Sequence, residues 1–403
     1  MQIKKLIHKI ELNTSSKALF QYSNLSRINE VSFLLLILVI ASTILVYCTS
    51  GGLIWTSDSF QYWAASRSFQ ENYTLVSADG GSYIYWPPLF PVILSLFTSE
   101  SSFYFAHIAF FNLALIFIYL FLKEVSSSGK LALITLSLFC ISLFPYLIAS
   151  FFWTEILFTL FLFSGLYYYL LWKRKRNLIS FICWVVLFSC MCLQRNAGIF
   201  MMVGLSLYEV LLFLPRKKFK EILFTGMGIV MSVLPNILWN FSLLKDASST
   251  DSEVEIHFLN GFFINLYHLL LTLFNSLFPT QLAPQLSPLF FICSLSVLIF
   301  IIIKKSNFLP LILFITYIIL LSCMPLIEVE SMDRFFAPLL PLFIYLLLSV
   351  SSLQFISLKK PLKYCMIFLA GGIVLYNVMR TYQNVERWHQ RSITNPKEAK
   401  IFF

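Results

Sequence analysis

Four side chains of this 403-residue sequence combine reactive types with unusual surroundings: Asp58 in "WTSDSFQYWAASRSF", Glu155 in "SFFWTEILF", Arg195 in "LQRNAGIF" and Arg334 in "DRFFAPLLPLF". A carboxylate can take up a proton or pair with a cation, and a guanidinium offers a rigid fork of donors to an anion. Each of the four lies beside a long apolar run, where an ionisable group is expensive and persists through chemistry, transport or a partner. Plainer readings stand beside these. Asp58 followed three residues later by Gln61 has the spacing of a helix capping box. Glu155 reads equally as one half of a salt bridge, and the aromatics around Asp58 as an interfacial belt.

The elements that carry these groups follow from composition. The chain is 59% hydrophobic and 12% charged, against roughly a quarter charged in soluble domains. Apolar runs of the ~20 residues needed to cross a ~30 Å hydrocarbon layer recur along its length. The expected fold is all-α: a polytopic transmembrane helical bundle forming one integral domain over residues 31–378, after a cytoplasmic N-terminal segment 1–30 and before a short tail 379–403. The run from Val31 lacks a small-residue cleavage site, so it reads as a retained helix rather than a signal peptide.

Basic residues come in blocks: Lys4, Lys5, Lys9, Lys17 and Arg27; Lys123 with Lys130; "KRKR" 173–176; "RKKFK" 216–220; "KK" 304–305; and "KKPLK" 359–363. Placing every block on the cytoplasmic side obeys the positive-inside rule and requires an even number of crossings between blocks. Lys130 and Lys173 are separated by 42 residues, enough for two crossings, and Glu155 is the charge among them. It therefore belongs at an outer turn. The same arithmetic puts Arg195 at the next one, where Asn196 and Gly198 supply turn character.

About eleven spans result, near 31–48, 103–122, 131–149, 155–172, 178–194, 198–214, 222–241, 288–303, 308–324, 335–353 and 364–378, with outer loops at 49–102, 242–287 and 325–334. Parity makes 259–278 an amphipathic helix on the outer surface. In the first outer loop, "YWPPLFPVIL" starts a short interfacial helix near Pro88, and a second over 58–69 puts Asp58 and Tyr62 on one face. The formal charge of +10 is explained by topology, so nucleic acid is not an expected partner. The eight cysteines have no CxxC spacing and read as packing residues. No metal-ligand cluster and no Walker loop stands out, which disfavours ATP-driven transport.

"SDSFQYWAAS", "YWPPLFPVIL", "SFFWTEILF", "LQRNAGIF" and "DRFFAPLLPLF", in that order, resemble the polytopic C-type glycosyltransferases that use polyprenyl-phosphate sugars, among them protein mannosyltransferases and aminoarabinose transferases. The resemblance implies inverting transfer of one sugar to a lipid, glycan or protein acceptor, on the extracytoplasmic face of the plasma (inner) membrane. Asp58 would be the general base and Glu155 a second catalytic candidate, orienting the acceptor, ligating an ion or pairing with an arginine. Arg195 and Arg334 would hold the phosphate, and Glu328, Glu330 or Asp333 would pair with Arg334. Asp333, Tyr62, Trp86 and His257 are further substrate-binding candidates, with Trp63, Tyr83, Tyr85, Trp86 and Trp153 as stacking residues. A lipid phosphate leaves without help from a metal, so neither a divalent ion nor another cofactor is expected. A polysaccharide polymerase or ligase, and a transporter or flippase of an amphiphilic anion, are the alternatives.

Overall fold

The computed structural model describes residues 27–84, 86–214, 219–244, 258–276, 284–303, 308–324, 329–355 and 360–397. Their helices, in chain order, are α1 (Arg27–Cys48), α2 (Ser57–Asn72), α3 (Leu89–Leu94), α4 (Glu100–Ser126), α5 (Gly129–Ile141), α6 (Phe144–Ser150), α7 (Glu155–Lys175) and α8 (Leu178–Gln194). They continue as α9 (Gly198–Phe213), α10 (Phe219–Leu244), α11 (Phe258–Asn275), α12 (Ser287–Ile303), α13 (Phe308–Ser322), α14 (Val329–Phe336), α15 (Leu340–Phe355) and α16 (Lys360–Thr394). No strand forms among the described residues, only isolated bridges at Ile54–Phe151 and Val76–Ser82.

The chain is a multi-pass membrane protein by its helices. Among the described residues six are long and apolar enough to cross a bilayer, a seventh is gained if α5 and α6 form one broken span, and five shorter apolar helices accompany them. Leu35, Leu36, Val39 and Ile40 on α1, and Phe224, Met227, Val230 and Met231 on α10, stand exposed. Apolar faces of that extent are stable against lipid and not against water. The centre of the bundle is α7, packed between α4 and α8. A Cβ on Gly165 would lie 2.5 Å from the Phe188 ring, so α8 approaches α7 only because that position is bare.

Each of the eleven expected spans falls largely on helix, with differences at a few places. The span expected at 131–149 is broken into α5 and α6, bent by 59°. Pro145, in the first turn of α6, lacks the backbone N–H that a continuous helix would need there. The helix expected at 259–278 forms as α11 and packs against α12, α13 and α14. It buries Leu269, Leu270 and Leu273, and Asn265 Nδ2 donates to the Met324 carbonyl at 2.9 Å. The last helix runs on through Thr394, well past residue 378. Its end clasps the first loop: Trp55 N donates to Pro396 O at 2.6 Å, and Gly51 N to Ser392 Oγ at 3.2 Å.

The two ends of the bundle differ in charge. At the C-terminal end of α7 the basic blocks meet acids: Arg174 pairs with Glu124, Arg176 with Glu221, and Lys173 with Glu209 at 2.8 Å. Lys123 pairs with Glu30 in the same layer. Glu155 opens α7 at its other end, so roughly 30 Å of helix, at 1.5 Å per residue, separates the basic layer from the site described next.

Candidate active site

Two loop segments bring the first pair of acids together. Residues 53–56 run alongside 150–154 through a parallel bridge, with Ile54 N donating to Ser150 O at 2.9 Å and Phe152 N to Ile54 O at 2.8 Å. One segment leads directly into Asp58 and the other into Glu155. Side chains reinforce the brace: Trp153 Nε1 donates to Thr56 Oγ1 at 2.9 Å and Ser59 Oγ to Phe152 O at 3.0 Å. The N-cap of α2 is therefore Thr56, with Ser59 as its box partner, not Asp58 with Gln61. Gln61 Oε1 instead accepts from Ala78 N at 2.8 Å. Asp58 sits in the first helical turn, where the dipole favours an anion, and its carboxylate is left for other work.

That work is an ion cluster. Arg334 NH1 donates to Asp58 Oδ2 at 2.8 Å, while Arg334 Nε and Arg195 NH1 both donate to Glu155 Oε1. Thr154 Oγ1 adds a bond to Glu155 Oε2 at 3.3 Å. Arg195 is the C-cap of α8, and the preceding Gln194 Nε2 donates to Thr154 O at 3.2 Å, which fixes the end of α8 to the start of α7. Arg334 comes from α14, anchored to α13 by Tyr317 OH donating to Phe335 O at 3.3 Å. The guanidinium groups lie over aromatic faces, Arg334 at 4.3 Å from Trp153 and Arg195 at 4.6 Å from Phe335. Rings at that distance attract the cations and exclude water.

Burial grades the cluster. The Glu155 side chain is 0% exposed and those of the two arginines 12% and 11%, whereas Asp58 keeps 25%. Glu155 is thus the sealed hub, and Asp58 is the member that reaches solvent. Tyr62 lies one turn on from Asp58, buried, and meets Phe90 and Trp86 edge-on at 5.1 and 5.8 Å. Burial, and then the Asp58 carboxylate, push its phenol above the ordinary value, which keeps it a neutral hydroxyl. Tyr83 packs on Trp86 at 5.8 Å, and its buried hydroxyl has no hydrogen-bond partner among the described residues.

Of the residues singled out in the sequence, Asp58, Glu155, Arg195 and Arg334 converge, with Tyr62, Trp86 and Trp153 in contact with one another's neighbours around them. Asp333 does not pair with Arg334. The two project from different sides of α14, and Asp333 Oδ2 meets Arg380 NH2 at 3.4 Å. Arg334 takes Glu155 and Asp58 instead, because its side of α14 faces the brace. Glu328, His257 and Tyr85 lie outside the described residues. Arg380 was missed by sequence reasoning; it also donates to Asn275 O at 2.9 Å. Its signal was available, since an arginine following the last span arrives at the same end of the bundle. Among the described residues no three His, Cys, Asp or Glu side chains converge as metal ligands do.

No protein-family model matches the chain, and no curated protein matches it in sequence. Solved structures do match it in shape. One is ArnT from Cupriavidus metallidurans bound to undecaprenyl phosphate, with a TM-score of 0.54 at 13% identity over 85% of this chain and 63% of that one. Another is the archaeal oligosaccharyltransferase AglB from Archaeoglobus fulgidus, in complex with an inhibitory peptide and a dolichol-phosphate, with a TM-score of 0.46 at 15% identity over 89% and 56%. This chain thus spans less than two thirds of the length of either. The likeness to ArnT shows that the chain shares the polytopic helical fold of that protein.

Proposed function

We propose that this chain is an integral-membrane glycosyltransferase that moves one sugar from a polyprenyl phosphate to an acceptor hydroxyl. The observation that carries the reading is the Asp58–Arg334–Glu155–Arg195 cluster at one end of the bundle, on a fold shared with a protein that holds undecaprenyl phosphate. In the proposed reaction the acceptor O–H gives its proton to Asp58 and its oxygen attacks the anomeric carbon. The bond from that carbon to the phosphate oxygen breaks, and the electron pair leaves with the lipid phosphate. A single displacement of this kind inverts the anomeric centre.

The residues divide the labour by burial. Asp58, partly exposed, acts as the base within hydrogen-bond reach of the acceptor. Arg334 and Arg195 hold the phosphate charge that grows as the bond breaks, with most effect because water is largely excluded. Glu155, sealed beneath both guanidiniums, is a positioning residue. Tyr62 and Trp86 wall the sugar. With two arginines supplying the counter-charge, the proposed reaction requires no divalent ion. The basic layer at the opposite end supports an extracytoplasmic site, since by the positive-inside rule basic residues favour the cytoplasmic side.

A transporter reading is less well supported. Transporters gather their charges near the midplane on broken helices, and here the cluster sits where α7 and α9 begin and α8 ends. The deciding experiment incubates purified protein with a panel of polyprenyl-phosphate sugars and detects released lipid phosphate by mass spectrometry, in parallel with flux measurements in sealed vesicles. Release together with a new glycosidic bond is expected. Crossing of the lipid sugar with no bond formed would overturn the proposal.

A further inference from the structure

Arg334 serves two carboxylates of very different standing. Its Nε is bound to Glu155, which is fully buried and also held by Arg195 and Thr154. Its NH1 is bound to Asp58, a quarter of whose side chain is exposed and whose hydrogen-bond partner among the described residues is Arg334. The formal charges of the four-residue cluster cancel, and the adjacent Asp333–Arg380 pair is likewise balanced. The cluster carries no net positive charge to offer, so a phosphate anion entering it competes with the carboxylates already bonded to the two guanidiniums.

The two possible losers differ in what release would do. Glu155, fully buried, would keep only Arg195 and Thr154 and could not replace the lost guanidinium with water, which is unfavourable. A freed Asp58 would turn to the water it already touches, giving up only a partly screened ion pair. The base and the phosphate thus compete for one donor, and the competition has a defined direction.

Resting on the reading of this cluster as the donor-phosphate site, we propose that Asp58 occupies on Arg334 the place of a donor phosphate oxygen, and that the donor displaces it. Arg334 then passes from the carboxylate to the phosphate while its Nε stays on Glu155. The exchange has a consequence for the order of events. Asp58 is tied up until a donor is seated, and is released, beside the bond to be broken, when an acceptor hydroxyl is of use. Water arriving alone meets a base already engaged.

The test is binding of undecaprenyl phosphate to the full-length protein in nanodiscs, measured for the wild type, Asp58→Asn, Arg334→Gln and the double variant, with Asp58→Ser as a second removal of the charge. Removing the competitor is expected to tighten lipid-phosphate binding about 3- to 10-fold, the scale of a partly exposed charged pair, even though turnover is lost. In the Arg334→Gln background the same substitution should give no gain, because the competition runs through that guanidinium. Equal or weaker binding by both Asp58 variants overturns the exchange and leaves the phosphate site standing. A gain that persists without Arg334 also overturns it, in favour of a general field effect. Folded protein that binds no lipid phosphate in any of these forms removes the phosphate site itself, and the exchange with it.

Discussion

Replacing Glu155 by glutamine removes the one anion that holds both guanidiniums, and its effect can be worked from burial. The side chain is fully enclosed, and the arginines bound to it are only 12% and 11% exposed. Removing one member of a buried charge network typically costs about 3–5 kcal/mol, because the partners remain buried without compensation. Here the low end applies. Arg334 keeps Asp58 at 2.8 Å, Arg195 keeps the face of Phe335, and the glutamine oxygen still accepts one bond. A loss of about 3 kcal/mol in unfolding free energy is therefore expected, measured by steric trapping or by denaturant titration in mixed micelles. Both arginines would also lose their fixed directions, so the donor KM should rise more than kcat falls, and Glu155→Asp should recover part of each. A loss below about 1 kcal/mol with an unchanged donor KM would refute the assignment of Glu155 as the hub.

Three shorter predictions follow from the same geometry. Asp58→Asn is expected to lower kcat by about 10²–10⁴, the usual contribution of a positioned base, with little change in melting temperature; retained turnover would remove the base assignment. Arg195→Ala should weaken donor binding by about 10- to 100-fold, the scale of charge-assisted hydrogen bonds, and unchanged affinity would deny it a phosphate role. Gly51→Ala would place a Cβ 2.1 Å from the Ser392 carbonyl oxygen, forcing the end of α16 off the first loop; faster proteolysis near residue 390 and a lower midpoint are expected, and a protected end would contradict the clasp.

Much of this arrangement was legible because charge is scarce in the sequence. Where basic blocks fix one side of the membrane, the parity of crossings leaves Glu155 and Arg195 no place but the other end, and the helices agree. Other signals were present but ambiguous. "TSDS" contains four good N-cap residues, and the spacing Thr56 to Ser59 competes with Asp58 to Gln61; tertiary contact decided, since Ser59 Oγ also reaches Phe152 O. Pro145 inside an apolar run announced the break between α5 and α6, which hydropathy alone passes over. Along the end of α16, Asn377, Thr381, Val385, Trp388 and Ser392 are buried. Their spacing of three and four residues is that of one helix face, hidden by the low hydropathy of the residues between.

What could not be read was who pairs with whom. Asp333 and Arg334 are neighbours in sequence yet serve different partners, Arg380 and the Glu155–Asp58 pair. The choice depends on which side of a two-turn helix meets which wall, and no local pattern encodes that. The deciding element is the brace of residues 53–56 along 150–154, a bridge too short to leave a strand periodicity. It joins segments almost 100 residues apart and carries an acid just beyond each: Asp58, which reaches water, and Glu155, which does not. Two carboxylates set side by side by this brace would repel unless cations lay between them, and Arg334 does lie between them, bonded to both. The inventory of charges and their end of the bundle are therefore properties of the sequence, whereas the difference in burial and pairing between the two acids is a property of the fold.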